Sequence, residues 1–562
     1  MAEPPGDPLA ETLVAAGVIT REQLEAAVAA RNSGLERLDE TIARLGFARE
    51  EDIYAAVAGR LGLEYVDRLE RGIAPGVLSQ VPSEFAMRRQ VLPLREEDHT
   101  LVVAVANPFD VTTLDDLRLL TSRDVRAVVA CPRLISEAIE QCYMERMFRE
   151  IDDMQTEEVA EEDLEIADLQ KMAREALIIK LVNLILHQAI QERASDIHIE
   201  PHERELRVRY RVDGVLHNAS SPPRHLHPAI ISRIKIMSDM DIAERRLPQD
   251  GRVRIRLADR MIDLRVSIIP TLHGESAVIR LLDRSQGLMH LTDLGMRADT
   301  FAQFRDLISR PHGIILATGP TGSGKSTTLH AALHEIYSPE KKVITIEDPV
   351  EYELPGANQI NVRPAIGLTF ARGLRHIVRQ DPDIIMVGEI RDRETADIAI
   401  HAALTGHLVF STVHTNDSAG AVTRLLDMGI EPYLVASSLV GVIAQRLVRT
   451  LCPACRQPFR PTPEELRRID SAPARAEPVT LYRAVGCEQC RDGYRGRAGV
   501  FELFTVDEEV RRQIVDKVSS SQMKQRAVEK GMRTLLGDGR EKVLEGKTTI
   551  EELVRVCQRD EV

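Results

Sequence analysis

The chain has 562 residues, 43% of them apolar and 28% charged, with 4% aromatics, no tryptophan and a formal net charge of −14. That length exceeds what one hydrophobic core ordinarily supports, so several domains are expected, and the ordinary apolar content indicates a folded, helix-rich, soluble protein. The acidic balance argues against a protein whose surface is built to track nucleic acid, because phosphate binding needs a surplus of Lys and Arg on at least one face, and leaves room only for a local basic patch.

The opening residues, MAEPPGDPLAETL, have neither the basic nor the apolar region of a secretory signal. Two segments then repeat each other. VAAGVITREQLEAAVA from Val14 and ARLGFAREEDIYAAVA from Ala43 align Gly17 with Gly46, Glu22 with Glu51 and Leu24 with Ile53. Each copy predicts a helix, a Gly turn and a second helix, giving a helical repeat over 1–70. From about Gly72 the pattern becomes mixed, and the β-branched runs LVVAVANP from Leu101 and VRAVVACP from Val125 predict strands of a small α/β part over 71–148. The two parts together form an N-terminal domain, 1–148. Residues 149–170 are strongly acidic with few large apolar groups, which suits a flexible linker or, alternatively, a solvated helix face.

ALIIKLVNLILHQAI from Ala176 is the most apolar helical stretch, but it is short and carries Lys180, whereas a bilayer span needs about 20 apolar residues. It predicts a buried amphipathic helix. With neither signal nor span, a cytoplasmic location is expected, and with it reduced cysteines. In SDIHIEPHERELRVRYRVDGVL the alternation of Ile197, Ile199, Leu206, Val208 and Tyr210 predicts an antiparallel hairpin. A second α/β domain therefore covers 171–291, and the remainder, 292–562, is a third.

That third domain opens with GIILATGPTGSGKSTTLHAALHEI, an apolar strand, a Gly-rich loop and a helix. This setting turns a complete Walker A match into a predicted nucleotide cradle of Gly319, Pro320, Thr321, Gly322, Ser323, Gly324, Lys325, Ser326 and Thr327. The glycines let backbone N–H groups turn inward on the phosphates of ATP, and the helix adds its positive end. Lys325 reaches the β- and γ-phosphates, and Ser326 ligates Mg2+. Hydrolysis also needs a carboxylate to activate water and a sensor of the γ-phosphate. VITIEDPVEYEL ends a strand in Glu347 and Asp348, and DPDIIMVGEIRD ends one in Glu389. Glu389 is assigned as the base, with Glu347 and Asp348 supporting water or metal; the bland alternative is strand-end caps paired with Arg391 and Arg393. Gly388 stands where a Walker B strand usually carries Asp. His407 and His414 flank the next apolar strand, LVFSTV, and are the candidate γ-phosphate reporters.

Two CxxC pairs, Cys452/Cys455 and Cys487/Cys490, lie on either side of a Pro-rich, charged insertion in a module over 450–499. Each short turn presents two thiolates, so the four read as a tetrahedral Zn2+ site with no position left for water, structural and not catalytic. Cys131, Cys142 and Cys557 are unpaired in sequence and read as core fillers.

The series GPTGSGKST, ITIEDPVEY, MVGEIRD and STVHTND, with DIHIEP, RYRVDG and RLPQDGR upstream, is similar to the motifs of the secretion ATPase superfamily. It resembles the branch that powers bacterial type II secretion and type IV pilus extension, and Gly388 is usual there. The resemblance implies an α/β multidomain chain with a PAS-like domain before a RecA-like motor, assembled as a homohexamer with ATP between the two domains. It implies arginine fingers at Arg209 and Arg224. It further implies work on an inner-membrane platform protein during pseudopilus assembly, and a peripheral place at that membrane. The tetracysteine module agrees with it. The N-terminal repeat resembles the domain that docks such ATPases on a bitopic membrane protein. Some relatives bind cyclic di-GMP through RLG-type segments before each copy; here PLA from Pro8 and RLD from Arg37 lack the glycines, so that ligand is not expected. Type IV pilus extension is the alternative task. A nucleic-acid translocase would show a basic, salt-sensitive surface, and a nucleotide-gated adaptor would bind ATP without turnover.

Overall fold

The computed structural model describes residues 8–30, 38–69, 73–143 except 137, 140 and 141, 164–257, 260–283, 289–469, 479–487 and 490–557. Contacts divide the chain into two compact units, residues 1–257 with 264–281 and residues 258–263 with 282–562. The division falls after Leu281 and not at the expected 291, close to where the last strand of the first unit's largest sheet ends.

In the first unit the repeat forms two helix pairs, Pro8–Ala15 with Arg21–Ala30 and Leu38–Arg44 with Glu50–Leu61. Gly17 and Gly46 end the first helix of each pair at φ 71° and 72°, a left-handed conformation that costs Gly no Cβ clash. The turns agree bond for bond: Gly17 N–H donates to Val14 O and Val18 N–H to Leu13 O, as Gly46 does to Ala43 O and Phe47 to Ile42 O. Strands β1 (Val91–Glu97), β2 (Thr100–Val105) and β3 (Asp124–Val129) form a small sheet in that order, with β2 and β3 parallel across the helix Val111–Thr121. Cys131 and Cys142 are buried among apolar side chains here, as expected. Of the acidic stretch, 149–163 lies outside the described residues, whereas 164–170 already belongs to a helix, Leu164–Gln191.

The predicted hairpin is present. Strands β4 (Asp196–Pro201) and β5 (Leu206–Val212) pair antiparallel with Ile197 opposite Tyr210 and Ile199 opposite Val208, all four buried. Asp213 and Gly214, at φ 49° and 84°, turn the chain into β6 (Val215–Asn218), the conformation a two-residue hairpin requires. With β7 (Gln249–Leu257), β8 (Arg260–Thr271) and β9 (Gly274–Asp283) they complete a sheet of order β6-β5-β4-β9-β8-β7. The Tyr210 hydroxyl donates to the Ile185 carbonyl, 3.1 Å, fastening the helix Leu164–Gln191 to this sheet.

The second unit is built on β10 (Gly313–Thr318), β11 (Val343–Glu347), β12 (Asn358–Asn361), β13 (Ile384–Val387), β14 (Leu408–Val413) and β15 (Leu439–Leu451). A pair of short strands, β16 (Gln457–Phe459) and β17 (Leu481–Arg483), precedes β18 (Tyr494–Thr505). The large sheet has the order β12-β11-β13-β14-β10-β15-β18, parallel until β18, which runs antiparallel to β15. Every residue of β10, β11, β13 and β14 is buried, as expected of a parallel sheet covered on both faces. Along β10, Ile314 and Leu316 enter one core and Ile315 and Ala317 the other, the period-2 division of a strand.

Near the C-terminus, buried Glu552 accepts from the Arg449 backbone N–H at 3.0 Å and from the Arg449 and Arg555 side chains. Burial alone would raise its carboxyl, but the hydrogen bonds from Arg555 and Arg449 outweigh it and bring it from 4.5 down to about 2. A carboxyl depressed in the folded chain contributes stability that is full above 4.5 and lost as the pH falls towards 2, here on the order of 3 kcal/mol. Glu552→Gln is expected to remove about 3 kcal/mol at pH 7 in urea unfolding, with the gap to wild type narrowing below pH 4.5.

Candidate nucleotide site and cysteine cluster

After Thr318 the chain turns through Gly319–Gly324 into the helix Lys325–Ile336. Gly319, Gly322 and Gly324 take φ 146°, 78° and 87°. The loop is also pressed against β15: a Cβ on Gly319 would lie 2.5 Å from Gln445 O, and one on Gly324 2.7 Å from Gln445 Nε2. Pro320, Thr321 and Gly322 form an exposed rim, Ser326 and Thr327 are half-buried, and Ser323 is buried with its Oγ unpartnered. Buried Lys325 donates through Nζ to Gly319 O at 2.8 Å and Pro320 O at 3.0 Å. Burial lowers its ammonium to about 8, with Arg446 adding to the effect and Glu389 and Glu351 opposing it. An ammonium desolvated to that degree gains strongly from an anionic partner.

Because β10, β11, β13 and β14 are parallel, their carboxyl ends share one edge of the sheet, where open α/β sheets bind ligands. Glu389, half-buried just beyond β13, holds Arg391 Nη2 at 2.6 Å through Oε1 and His414 Nε2 at 3.4 Å through Oε2. The structure thus brings two of the expected residues together, and it also contains the Arg391 pairing that the bland alternative requires. Glu347, the last residue of β11, is buried and accepts from Thr345 Oγ1 at 2.6 Å and Gln359 Nε2 at 3.2 Å. Burial pushes its carboxyl up, but neighbouring His330 holds it below the ordinary range. Asp348 next to it is exposed. A Cβ on Gly388 would approach Glu347 Cα and Ile346 O to 3.3 Å, a tight passage against β11 at the place where a Walker B strand usually carries Asp.

His407 needs correction as a phosphate reporter. It precedes β14, and its carbonyl accepts from the N–H of Gly313, the first residue of β10, at 3.1 Å. A six-residue strand therefore separates it from the phosphate edge, roughly 20 Å at 3.3 Å per residue. Its Nδ1 contacts Ala402 O at 2.8 Å, closing the end of the helix Arg393–Leu404. Two histidines flanking one strand necessarily sit at opposite edges of the sheet.

Several residues beside the cradle were not anticipated. Thr328 Oγ1 donates to Gln445 Oε1 at 2.6 Å. Arg446 donates to Gln445 O and Asn416 O, and Thr415 N–H donates to Thr318 Oγ1 at 2.9 Å, which ties the HTND segment to the end of β10. No local pattern marks Gln445 or Arg446, since they meet the loop only through the pairing of β10 with β15. His330 was findable: it follows Ser326 by one helical turn on the same face. Its Nδ1 lies 2.8 Å from Ser326 O and its Nε2 3.2 Å from Glu347 Oε2. Burial opposes its charge, but Glu347 and the Ser326 carbonyl outweigh that and raise its pKa.

Arg209 and Arg224 belong to the first unit. Arg209 makes a bidentate pair with Glu200, with contacts at 2.9 and 2.7 Å. Arg224 donates to His202 O at 2.9 Å and His273 O at 2.6 Å, the contacts of a loop brace.

The four expected cysteines converge. Their sulfurs lie within 4.8 Å of one another, with Cys452–Cys487 at 3.8 Å and Cys455–Cys490 and Cys487–Cys490 at 3.6 Å. A disulfide needs about 2.0 Å, whereas four sulfurs about 2.3 Å from one tetrahedral ion stand roughly 3.8 Å apart, so the cluster fits a metal ion. The Cys452 N–H donates to Gly493 O at 2.9 Å and the Cys487 N–H to Cys490 Sγ at 3.2 Å, fixing the turns. Cys557 is buried in the adjoining core.

A sequence profile described as "Type II/IV secretion system protein" matches residues 171–555, and one described as "MshEN domain" matches 61–148. The chain is 43% identical over 558 residues to the type IV pilus assembly ATPase PilB of Myxococcus xanthus, spanning 97% of this chain and 98% of that one. It is 46% identical over 527 residues to type II secretion system protein E of Xanthomonas campestris pv. campestris, spanning 92% of each. Among solved structures, the ATPase DotB of Yersinia pseudotuberculosis matches with a TM-score of 0.50 at 20% identity, covering 67% of this chain and 93% of that one, a likeness of fold alone. The fold is accordingly α/β multidomain, an MshEN region followed by a RecA-like P-loop motor that carries the cysteine cluster. The chain belongs to the type II/IV secretion system protein family and is a P-loop ATPase.

Proposed function

We propose that this ATPase drives pseudopilus assembly and protein export by type II secretion, as a homohexamer peripheral to the inner membrane. The observation that carries the catalytic reading is the shared strand edge, where the Gly319–Thr327 cradle, Glu347 and the Glu389–His414 pair stand together. ATP occupies the cradle, and Lys325 exchanges its loop carbonyls for the β- and γ-phosphates. Ser326 holds Mg2+, with Glu347 and Asp348 in support; the ion neutralises developing charge on the phosphates when bound. Glu389 orients and deprotonates water, and His414, exposed beside it, reads the γ-phosphate.

Arg209 and Arg224 act as fingers from the PAS-like domain. Arg209 must leave Glu200 to do so, which ties its arrival to domain movement. The cysteine cluster holds structural Zn2+. The partners are an inner-membrane platform protein and a bitopic docking protein that meets the N-terminal domain. No helix among the described residues is long and apolar enough to cross a membrane, which supports a peripheral place. Neither nucleic acid nor cyclic di-GMP is expected as a ligand; Arg37 of the second short segment lies outside the described residues. The near-complete match to a type IV pilus assembly ATPase supports pilus extension as the second reading; co-purification with secretion or with pilus components separates the two.

Glu389→Gln is expected to lower steady phosphate release by about 10²-fold or more while a fluorescent ATP analogue still binds. Undiminished release would remove Glu389 from its role. Metal analysis of the purified chain is expected to find one zinc per chain, lost together with thermal stability in Cys452→Ser/Cys487→Ser. Arg209→Ala is expected to lower kcat with little change in KM for ATP, the signature of an interaction made only in the transition state.

A further inference from the structure

His330 is among the most buried polar side chains of the motor, 1% exposed, and the proposed reaction leaves it unassigned. It stands one turn into the cradle helix and spans two functional points. Nδ1 meets the carbonyl of Ser326, the proposed Mg2+ residue, and Nε2 faces the carboxylate of Glu347. The other Glu347 oxygen is held by Thr345 and Gln359, and a Tyr352 ring packs edge-on against the imidazole at 5.4 Å. β11 is separated from β10 by β13 and β14 in the sheet, so no ladder hydrogen bond fixes Glu347 relative to the cradle. The imidazole lies between the two, with Nδ1 on Ser326 O and Nε2 3.2 Å from Glu347 Oε2.

We propose that His330 is a positioning residue for ATP hydrolysis, setting the Glu347 carboxylate at a fixed distance from the first turn of the cradle helix. The inference rests on the reading of Glu347 as part of the hydrolytic site. A buried carboxylate held through one oxygen can still pivot about it, and a misplacement of about 1 Å at a reacting centre costs on the order of 10²-fold in rate. The effect belongs in kcat, because the cradle contacts that bind ATP do not pass through His330.

The test is a double-mutant cycle on the full chain with a rescue arm. His330→Phe is expected to lower kcat at least tenfold with KM for ATP changed less than twofold. In a Glu347→Gln background the same substitution is expected to have almost no further effect, because its action passes through that carboxylate. His330→Gln, whose amide nitrogen reaches the place of Nε2, is expected to recover turnover. His330→Asn, whose amide nitrogen reproduces only Nδ1, is not. A role limited to packing would lower both variants alike. Binding of a fluorescent ATP analogue and the melting temperature, measured on each variant, separate lost positioning from lost fold. Additive losses in the cycle, with Glu347→Gln itself impaired, would overturn the inference alone. Wild-type turnover in Glu347→Gln would overturn the assignment of Glu347 and the inference with it.

Discussion

Parallel hydrogen bonding among β10, β14, β13 and β11 is the constraint on which the remainder of the motor rests. Antiparallel neighbours would send alternate strand ends to opposite edges, and the loop after β10 would face the beginnings of its neighbours' strands. With all four running one way, residues far apart in sequence, Glu347, Glu389 and His414, come to the edge that holds the Gly-rich turn. Burial on both faces keeps the strands in register, because slipping one by a residue would exchange Ile314 and Leu316 with Ile315 and Ala317 between two cores.

On that scaffold the electrostatics of the edge are arranged around charges withdrawn from water. Lys325 is buried against carbonyls of its own loop, Glu389 is shared between Arg391 and His414, and Glu347 is sunk beside His330. An anionic ligand at the Gly-rich loop would compete with the loop carbonyls for the Lys325 ammonium, so part of its binding energy would be available to move that side chain.

Much of this was legible in the sequence where the determinant is local. Gly17 and Gly46 mark equal turns in a repeat, the alternation from Ile197 to Tyr210 marks a hairpin, and the glycines before Lys325 mark a loop that needs left-handed backbone. The cysteine pairs announce their convergence by spacing. What was not legible depends on direction or on distance. The assignment of His407 failed because a strand's two ends look alike until its neighbours' polarity is known. Gln445 and Arg446 carry no motif because they meet the loop across a ladder between segments more than a hundred residues apart. The helix at Leu164 begins inside an acidic run whose composition suits a coil equally well.

One strand carries a consequence for the motor's mechanics. β15 presses Gln445 against the phosphate loop and ends beside Cys452, and it is laddered to β10 on one side and to β18 on the other. An extended backbone already near its full length has no slack along its axis. The four sulfurs and the Gly-rich turn are thus joined by one continuous strand, irregular only between Arg449 and Leu451, so a displacement of either along its axis is passed towards the other.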